Sequence, residues 1–351
     1  PTPAHPILAA DKVRCVGDCV AFVVARTANQ AQDAAEMIEV DYEMLPATAS
    51  TREAVKDGAP LVWDENAGNL WFEMDRGDAA ATDAAFAKAA HVVKADLHNN
   101  RISANAMEPR AALAEYRVSQ QDWTIYMSTQ GSHMHRSTFS EIFHKPATAF
   151  RVIAPDVGGG FGMKGGVFPE DAMCAWAAMK LRKPVKWTAT RTESLVSDTH
   201  GRDAECLSEM ALDENGKILA IRVLADYGVG AYLSASAPVP ACIGSMVYPN
   251  VYEYEAMHIH IRVVFSHTTW TGPYRGAGRP EAVYVVERLL DIAADQMGID
   301  PVEIRSRNYI PKDKMPFTTL VPTVYDSGDF AGITEHAAGV ADLPGYAARK
   351  A

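Results

Sequence analysis

The strongest chemical signal in the sequence is the run Gly158-Gly159-Gly160-Phe161-Gly162-Met163-Lys164-Gly165-Gly166. Without a Cβ in the way, backbone N–H groups of such a loop can approach an anionic ligand closely. Phe161 is a large ring among glycines and must pack somewhere, beside a ligand being one place. A tight structural crossover would use the same glycines. Gly160 to Gly165 also fits the GxGxxG spacing of dinucleotide-binding turns. However, Pro169 starts the next helix too late, and no acidic residue ends a following strand at the right distance. The Walker pattern fails at Met163, which stands before Lys164 where that loop needs glycine.

A second cluster is Tyr274-Arg275-Gly276-Ala277-Gly278-Arg279-Pro280-Glu281, two guanidinium groups on a glycine-rich loop before a helix begun by Pro280. A helix start flanked by arginine suits an anion or oxyanion, although surface arginines occur there too. Gln130 closes a strand in Ser128-Thr129-Gln130-Gly131; its amide can donate to a ligand or serve a turn. His133 and His135, two apart on a helix, point to different faces and make no metal pair, so a solvent-facing or capping role is expected. Cys15 and Cys19 are the closest of five cysteines, too few thiolates for a zinc or iron–sulfur site. Their odd number and low density fit a reducing compartment, hence a cytoplasmic location.

The elements that position these groups can be read from patterning. The chain has 351 residues, 48% of them hydrophobic, enough for one large or two smaller domains. Its net charge of −11 and lack of a basic block argue against binding nucleic acid or anionic membranes. The opening Pro1-Thr2-Pro3 has no signal-peptide character and no initiator Met, which suggests processing or a fragment. The uncharged stretch from Tyr227 to Tyr252 contains Pro238, Pro240 and Pro249, which a membrane span would not tolerate; a buried irregular segment is expected.

Residues 13–25 read as a hairpin around Gly17-Asp18, followed by a helix from Thr27 to Met37 and a strand over 39–45. Residues 47–76 look like a loop and a boundary. Beyond them come a helix over 82–90, a strand over 91–97, a hairpin over 112–129, a helix over 133–143 and a strand over 150–154 feeding the glycine loop. A helix over 169–181, a hairpin over 207–226 around Asp213-Glu214-Asn215-Gly216 and a helix over 280–297 complete the list. The mixture points to an α+β fold.

Seven of these stretches, in order, carry a resemblance. They are Val13-Arg14-Cys15-Val16-Gly17-Asp18, Met107-Glu108-Pro109-Arg110, Ser128-Thr129-Gln130, Asp156 to Gly162, His200-Gly201-Arg202-Asp203, Tyr274 to Glu281 and Arg305-Ser306-Arg307-Asn308. Together they resemble the molybdopterin-binding subunit of the xanthine oxidase, aldehyde oxidase and carbon monoxide dehydrogenase family. The chain is similar to the middle of that subunit: residues 1–76 to the later part of its a/b hammerhead domain with a linker, and 77–351 to its first molybdopterin-binding domain.

The resemblance implies a molybdenum cofactor, molybdopterin in its cytosine dinucleotide form, with no direct protein ligand to the metal. It places Gln130, Gly159, Gly160, Phe161, Gly162, Arg275, Gly276, Ala277 and Arg307 at the cofactor. Phe161, Arg275 and Tyr309 would face substrate, and Gln130 and Arg275 would act in catalysis. The implied reaction is oxidative hydroxylation of an aldehyde or N-heteroaromatic compound with water. Electrons would pass to an iron–sulfur subunit and a flavin (FAD) or cytochrome (haem) subunit. The family's catalytic Glu lies in a C-terminal domain, so a second molybdopterin-domain chain or a further segment must supply it.

Two departures bear on substrate. Purine-oxidising relatives have Glu where this chain has Gly165, and carbon monoxide dehydrogenases have a copper-binding Cys where it has Gly276. A carbon-monoxide-dehydrogenase-like subunit, a non-catalytic scaffold for a partner's cofactor, and a nucleotide-binding dehydrogenase remain as other readings.

Overall fold

The structure is a computed structural model describing residues 2–351. The strands are β1 (Leu70–Gly77), β2 (His91–Asn99), β3 (Ile102–Ser103), β4 (Ala111–Arg117), β5 (Asp122–Met127), β6 (Phe150–Ile153), β7 (Val185–Thr188), β8 (His200–Gly201), β9 (Ala204–Leu212), β10 (Ile218–Gly230), β11 (Ala256–Phe265), β12 (Phe317–Thr318) and β13 (Val324–Tyr325). The helices are α1 (Ala28–Glu36), α2 (Thr51–Ala54), α3 (Ala79–Ala87), α4 (Ser132–Phe143), α5 (Pro169–Leu181), α6 (Arg191–Ser197), α7 (Val239–Ser245), α8 (Arg279–Met297), α9 (Pro301–Ser306), α10 (Phe330–Val340) and α11 (Tyr346–Lys350).

Period-two apolar residues build the larger sheet, ordered β1-β11-β10-β9-β2, in which β10 and β11 run parallel and the other pairs antiparallel. One face carries Met210, Leu212, Ile221, Val223, Ile259 and Ile261, and α8 lays Val285, Val286, Leu289 and Leu290 onto it. Each such side chain gains roughly 1.5–3 kcal/mol by leaving water. Pro280 in the first turn of α8 and Gly298, at φ +65°, fix its ends. On the opposite face α3 covers Ala211, Leu219, Ala220 and Ala256 with Ala85 and Phe86. The rest of that face carries charged pairs such as Lys94–Glu209 at 2.6 Å and Arg222–Glu209 at 2.7 Å.

The smaller sheet is ordered β6-β5-β4-β7, with β5 and β6 parallel. Trp123, Ile125, Met127 and Phe150 pack with Phe139 of α4 and Cys174, Ala175 and Ala178 of α5. The Trp123 indole N–H donates to the Ala175 carbonyl at 3.0 Å, so the helix and strand are registered as well as stuck together.

The expected helices over 133–143, 169–181 and 280–297 form within a residue of their bounds. The hairpin through Asp213–Gly216 also forms; Asp213 Oδ1 accepts the N–H groups of Asn215 and Lys217, both at 2.8 Å. The uncharged stretch from Tyr227 to Tyr252 folds as the end of β10, a loop and α7, and among the described residues no helix is long and apolar enough to cross a membrane.

Other expectations are corrected. Helix α3 lies over 79–87 because the Asp78 carboxylate caps it, accepting the Ala81 N–H at 2.9 Å. Helix α1 forms behind the Thr27 cap, but the flanking stretches 13–25 and 39–45 make no strand. A strand is a property of a pair, and these stretches find no ladder partner among the described residues. The presumed loop over 47–76 contains α2 and most of β1, the edge strand of the larger sheet, so Gly77 sits inside that sheet opposite His258.

Candidate cofactor and active site

Because β5 and β6 are parallel neighbours, the segments that follow them leave the sheet at the same end. Gln130 follows β5 and the glycine loop follows β6. The Gln130 N–H donates to the Lys164 carbonyl at 3.0 Å, and its side-chain Oε1 accepts the Gly162 N–H at 2.9 Å. A backbone N–H can only donate, so this bond turns the amide oxygen toward the loop and the NH2 group away from it. A Cβ at Gly160 would stand 2.5 Å from that Oε1, so a larger residue there would push the Gln130 side chain out of this position.

Phe161 adopts φ +54° between Gly159 at +97° and Gly162 at +104°. Such a conformation costs a residue with a side chain about 1–3 kcal/mol and is held only by its surroundings. Here the Phe161 carbonyl accepts the Arg275 N–H at 2.9 Å, and the residue remains 42% exposed.

The arginine loop reaches this point from the larger sheet. After β11 the chain binds the end of β10 through Thr271 N–H to the Val229 carbonyl, 3.0 Å, and β8 through Gly272 N–H to the His200 carbonyl, 2.9 Å. Gly276, Ala277 and Gly278 then take φ values of +99°, +46° and +88°. The Arg275 guanidinium is exposed and donates to no protein group among the described residues. Arg279 instead bends back to the Gly276 carbonyl at 3.1 Å. Arg202, itself at φ +65°, props the loop from below. It meets Glu281 at 2.9 Å and donates to the carbonyls of Tyr274 at 3.3 Å and Arg275 at 2.8 Å.

Two further charges support the glycine loop. Buried Lys164 pairs with Glu108 at 2.8 Å. Burial alone would push the Glu108 carboxyl up, but the bonds from Lys164, Ser128 and Gly158 outweigh it and hold the group below the usual carboxylate range. Arg110 bridges Asp198 at 2.5 Å and Glu170 at 2.9 Å and stacks over Phe168 at 3.9 Å, anchoring the start of α5. Sequence reasoning quotes Glu108, Arg110 and Arg202 only as motif letters and gives Lys164 no role. Charged residues beside glycine-rich loops were the available signal.

The structure thus brings Gln130, Gly159, Gly160, Phe161, Gly162, Arg275, Gly276 and Ala277 together. It does not bring Arg307 and Tyr309 there. Arg307 binds Glu303 at 3.0 Å and the Asn215 carbonyl at 2.6 Å, while Tyr309 stacks on Tyr252 and meets Thr334 at 3.0 Å. Neighbouring Asn308 receives the Ile218 N–H at the first residue of β10, whereas the arginine loop joins that strand near Gly228. Ten residues of strand separate the two ends by about 33 Å. His135 differs too: it is buried, between Thr129 Oγ1 at 3.0 Å and the Gly131 carbonyl at 2.9 Å, and burial lowers its pKa.

Residues 62–309 match the family described as the molybdopterin cofactor-binding domain. The chain belongs to the molybdopterin cofactor-binding domain family. Residues 1–46 match the a/b hammerhead domain of aldehyde oxidase and xanthine dehydrogenase. Among relatives, the 6-hydroxypseudooxynicotine dehydrogenase complex subunit gamma of Paenarthrobacter nicotinovorans is 34% identical over 93% of this chain and 41% of its own length. The carbon monoxide dehydrogenase large chain of Hydrogenophaga pseudoflava is 32% identical over 98% of this chain and 45% of its own. The crystal structure of quinoline 2-oxidoreductase from Pseudomonas putida 86 superposes with a TM-score of 0.93 at 31% identity, covering 99% of this chain and 44% of that one. The chain therefore spans less than half the length of these relatives.

The molybdopterin-binding fold and the expected α+β class agree with the architecture above. The site also fits an anionic pterin. The N–H groups of Gly159, Gly160 and Phe161 donate to no protein group among the described residues, and the Arg275 guanidinium is unpaired beside them. A side chain at Gly165 would meet nothing within 4 Å, so there is room next to the loop.

Proposed function

We propose that the chain is the first molybdopterin-domain portion of a molybdenum hydroxylase that oxidises an aldehyde or N-heteroaromatic substrate with water as oxygen source. The observation that carries this reading is the bond from Arg275 N–H to the Phe161 carbonyl, which joins an outward-turned amide, a strained Phe-Gly turn and an unpaired guanidinium. Gln130, Gly159, Gly160, Phe161, Gly162, Gly276 and Ala277 would hold the pterin end that bears the metal. The bound group supplies a two-electron redox centre and the activation of water. Gln130 orients by donating its NH2 hydrogens. Arg275 offsets negative charge that develops on the substrate, which a preorganised cation does without reorganisation cost. Phe161 excludes water from one wall.

A second chain, or a further segment of the same polypeptide, would add the catalytic Glu. Iron–sulfur and flavin or haem partners would take the electrons, and the cytosine dinucleotide form of the pterin and a cytoplasmic location complete the proposal. Relatives named for a nicotine derivative and for quinoline favour a nitrogen heterocycle. Gly165 leaves the place of a purine-binding Glu empty. As this loop is built, a copper-binding Cys at 276 would need φ +99° and a Cβ 2.6 Å from the Pro280 ring, which argues against carbon monoxide oxidation.

The test is metal analysis of the natively purified protein with its accompanying chains. Molybdenum and iron without copper support the reading. Absence of molybdenum would refute it and leave a cofactor-free scaffold.

A further inference from the structure

We infer that the Lys164–Glu108 ion pair is a positioning device for Gln130, fixing the loop against which the amide is aimed; this rests on the molybdopterin reading above. Lys164 lies within the glycine loop, yet its side chain is fully buried, a rare state for lysine unless it is paired. A lysine in a ligand loop would ordinarily face the ligand. This one points inward, and its Nζ donates to the Glu108 carbonyl at 2.9 Å and to Oε2 at 2.8 Å.

That same carboxylate oxygen accepts the Ser128 hydroxyl at 2.6 Å and the Gly158 N–H at 2.7 Å. The Lys164 carbonyl meanwhile accepts the Gln130 N–H at 3.0 Å. One oxygen therefore gathers the segment two residues ahead of Gln130 and both ends of the loop. The Gly158 end has no slack, since a Cβ there would stand 2.5 Å from that of Glu108. Because Glu108 neutralises Lys164, the lysine contributes geometry and not charge to the site. Loosening the pair lets Gly162 drift from Gln130 and frees the amide to rotate, which lowers turnover more than it lowers cofactor retention.

The experiment compares Lys164→Met, Glu108→Gln and Gln130→Ala in the natively purified protein with its accompanying chains. It reads molybdenum per chain, kcat and KM on a turned-over aldehyde or heterocycle, and hydrogen exchange of peptides covering 128–131 and 158–166. For K164M the expected result is a 10–100-fold loss of kcat, the usual cost of losing an outer partner of a metal site. KM should stay within about threefold, most molybdenum should be kept, and both peptides should exchange faster. E108Q keeps an amide oxygen for Ser128 and Gly158 but leaves the buried Lys164 charge without its carboxylate, so faster exchange of both peptides is expected there too; because it keeps these acceptors it remains informative if K164M fails to fold.

Unchanged kcat and exchange in K164M while Q130A is impaired would overturn the inference. So would activity lost only in step with molybdenum. A wild type without molybdenum would instead refute the functional reading. The exchange arm still decides the coupling there: faster exchange in both peptides upholds it, and no change overturns it.

Discussion

Replacing Gly162 with Ala places a methyl group where the two loops meet. Gly162 has φ +104°, and a Cβ there would collide with the Pro273 carbonyl. The backbone strain costs about 1–3 kcal/mol. The collision is with main chain, so no side chain can swing aside, and relief requires the loops to part. Parting breaks the bond from Gly162 to Gln130 and that from Arg275 to Phe161, about 1 kcal/mol each. The sum is about 3–5 kcal/mol, which in a domain of this class lowers Tm by on the order of 10 °C. Gly165→Ala, three residues on, has no positive φ and nothing within 4 Å of its Cβ, and should stay within about 0.5 kcal/mol of wild type. Thermal unfolding and molybdenum content measured side by side give the answer. If the two variants melt together, or G162A keeps its full molybdenum, loop crowding does not hold the site in place.

Arg275→Met should cut turnover by about 100-fold while leaving molybdenum content near wild type, as loss of one preorganised charge does; parallel loss of both would remove its catalytic role. Arg202→Met strands Glu281, whose side chain is 1% exposed, and should cost about 3–5 kcal/mol in denaturant unfolding; a change under about 1 kcal/mol would show that the loop does not depend on it. His5 stacks on Tyr232 at 4.1 Å, and burial lowers its pKa to about 4. The unfolded segment takes up its proton first, so docking weakens as pH falls from about 6.5 toward 4. Protection factors of the first residues, taken against the intrinsic exchange rate at each pH, should fall across that window in wild type and not in His5→Phe.

Much of the site was legible because its signals are local. Glycines at 158–166 and 276–278 announce backbone that must turn or approach closely, and Gln130, Phe161 and Arg275 sit on those turns. Helices were legible where a cap or proline marked them, as at Pro169 and Pro280. What escaped depends on distant partners. One miss was legible: the run from Met257 to Val263 alternates apolar and polar residues, the period-two pattern of a strand, and it lies inside the larger sheet. Leu70–Gly77 carries no strong alternation and becomes a strand only because β11 offers it an edge. Conversely, residues 13–25 have strand-like composition and find no ladder partner among the described residues. Arg307 and Tyr309 were placed by motif adjacency, and motif order says nothing about which end of a 13-residue strand a loop occupies. The Lys164–Glu108 pair links positions 56 apart, beyond any periodicity in the sequence.

The uneven room around the glycines also bears on how such a protein can change. At residues 162 and 278 a Cβ collides with main-chain carbonyls at positive φ, so these two positions resist substitution whatever the substrate. Residue 165 opens onto free space, and the Arg275 side chain faces solvent. A new recognition group can therefore enter at 165 without disturbing a single bond that holds Gln130 or Phe161. Tolerance and constraint alternate within a few residues of one loop, and a substrate preference can drift there while the cradle stays fixed.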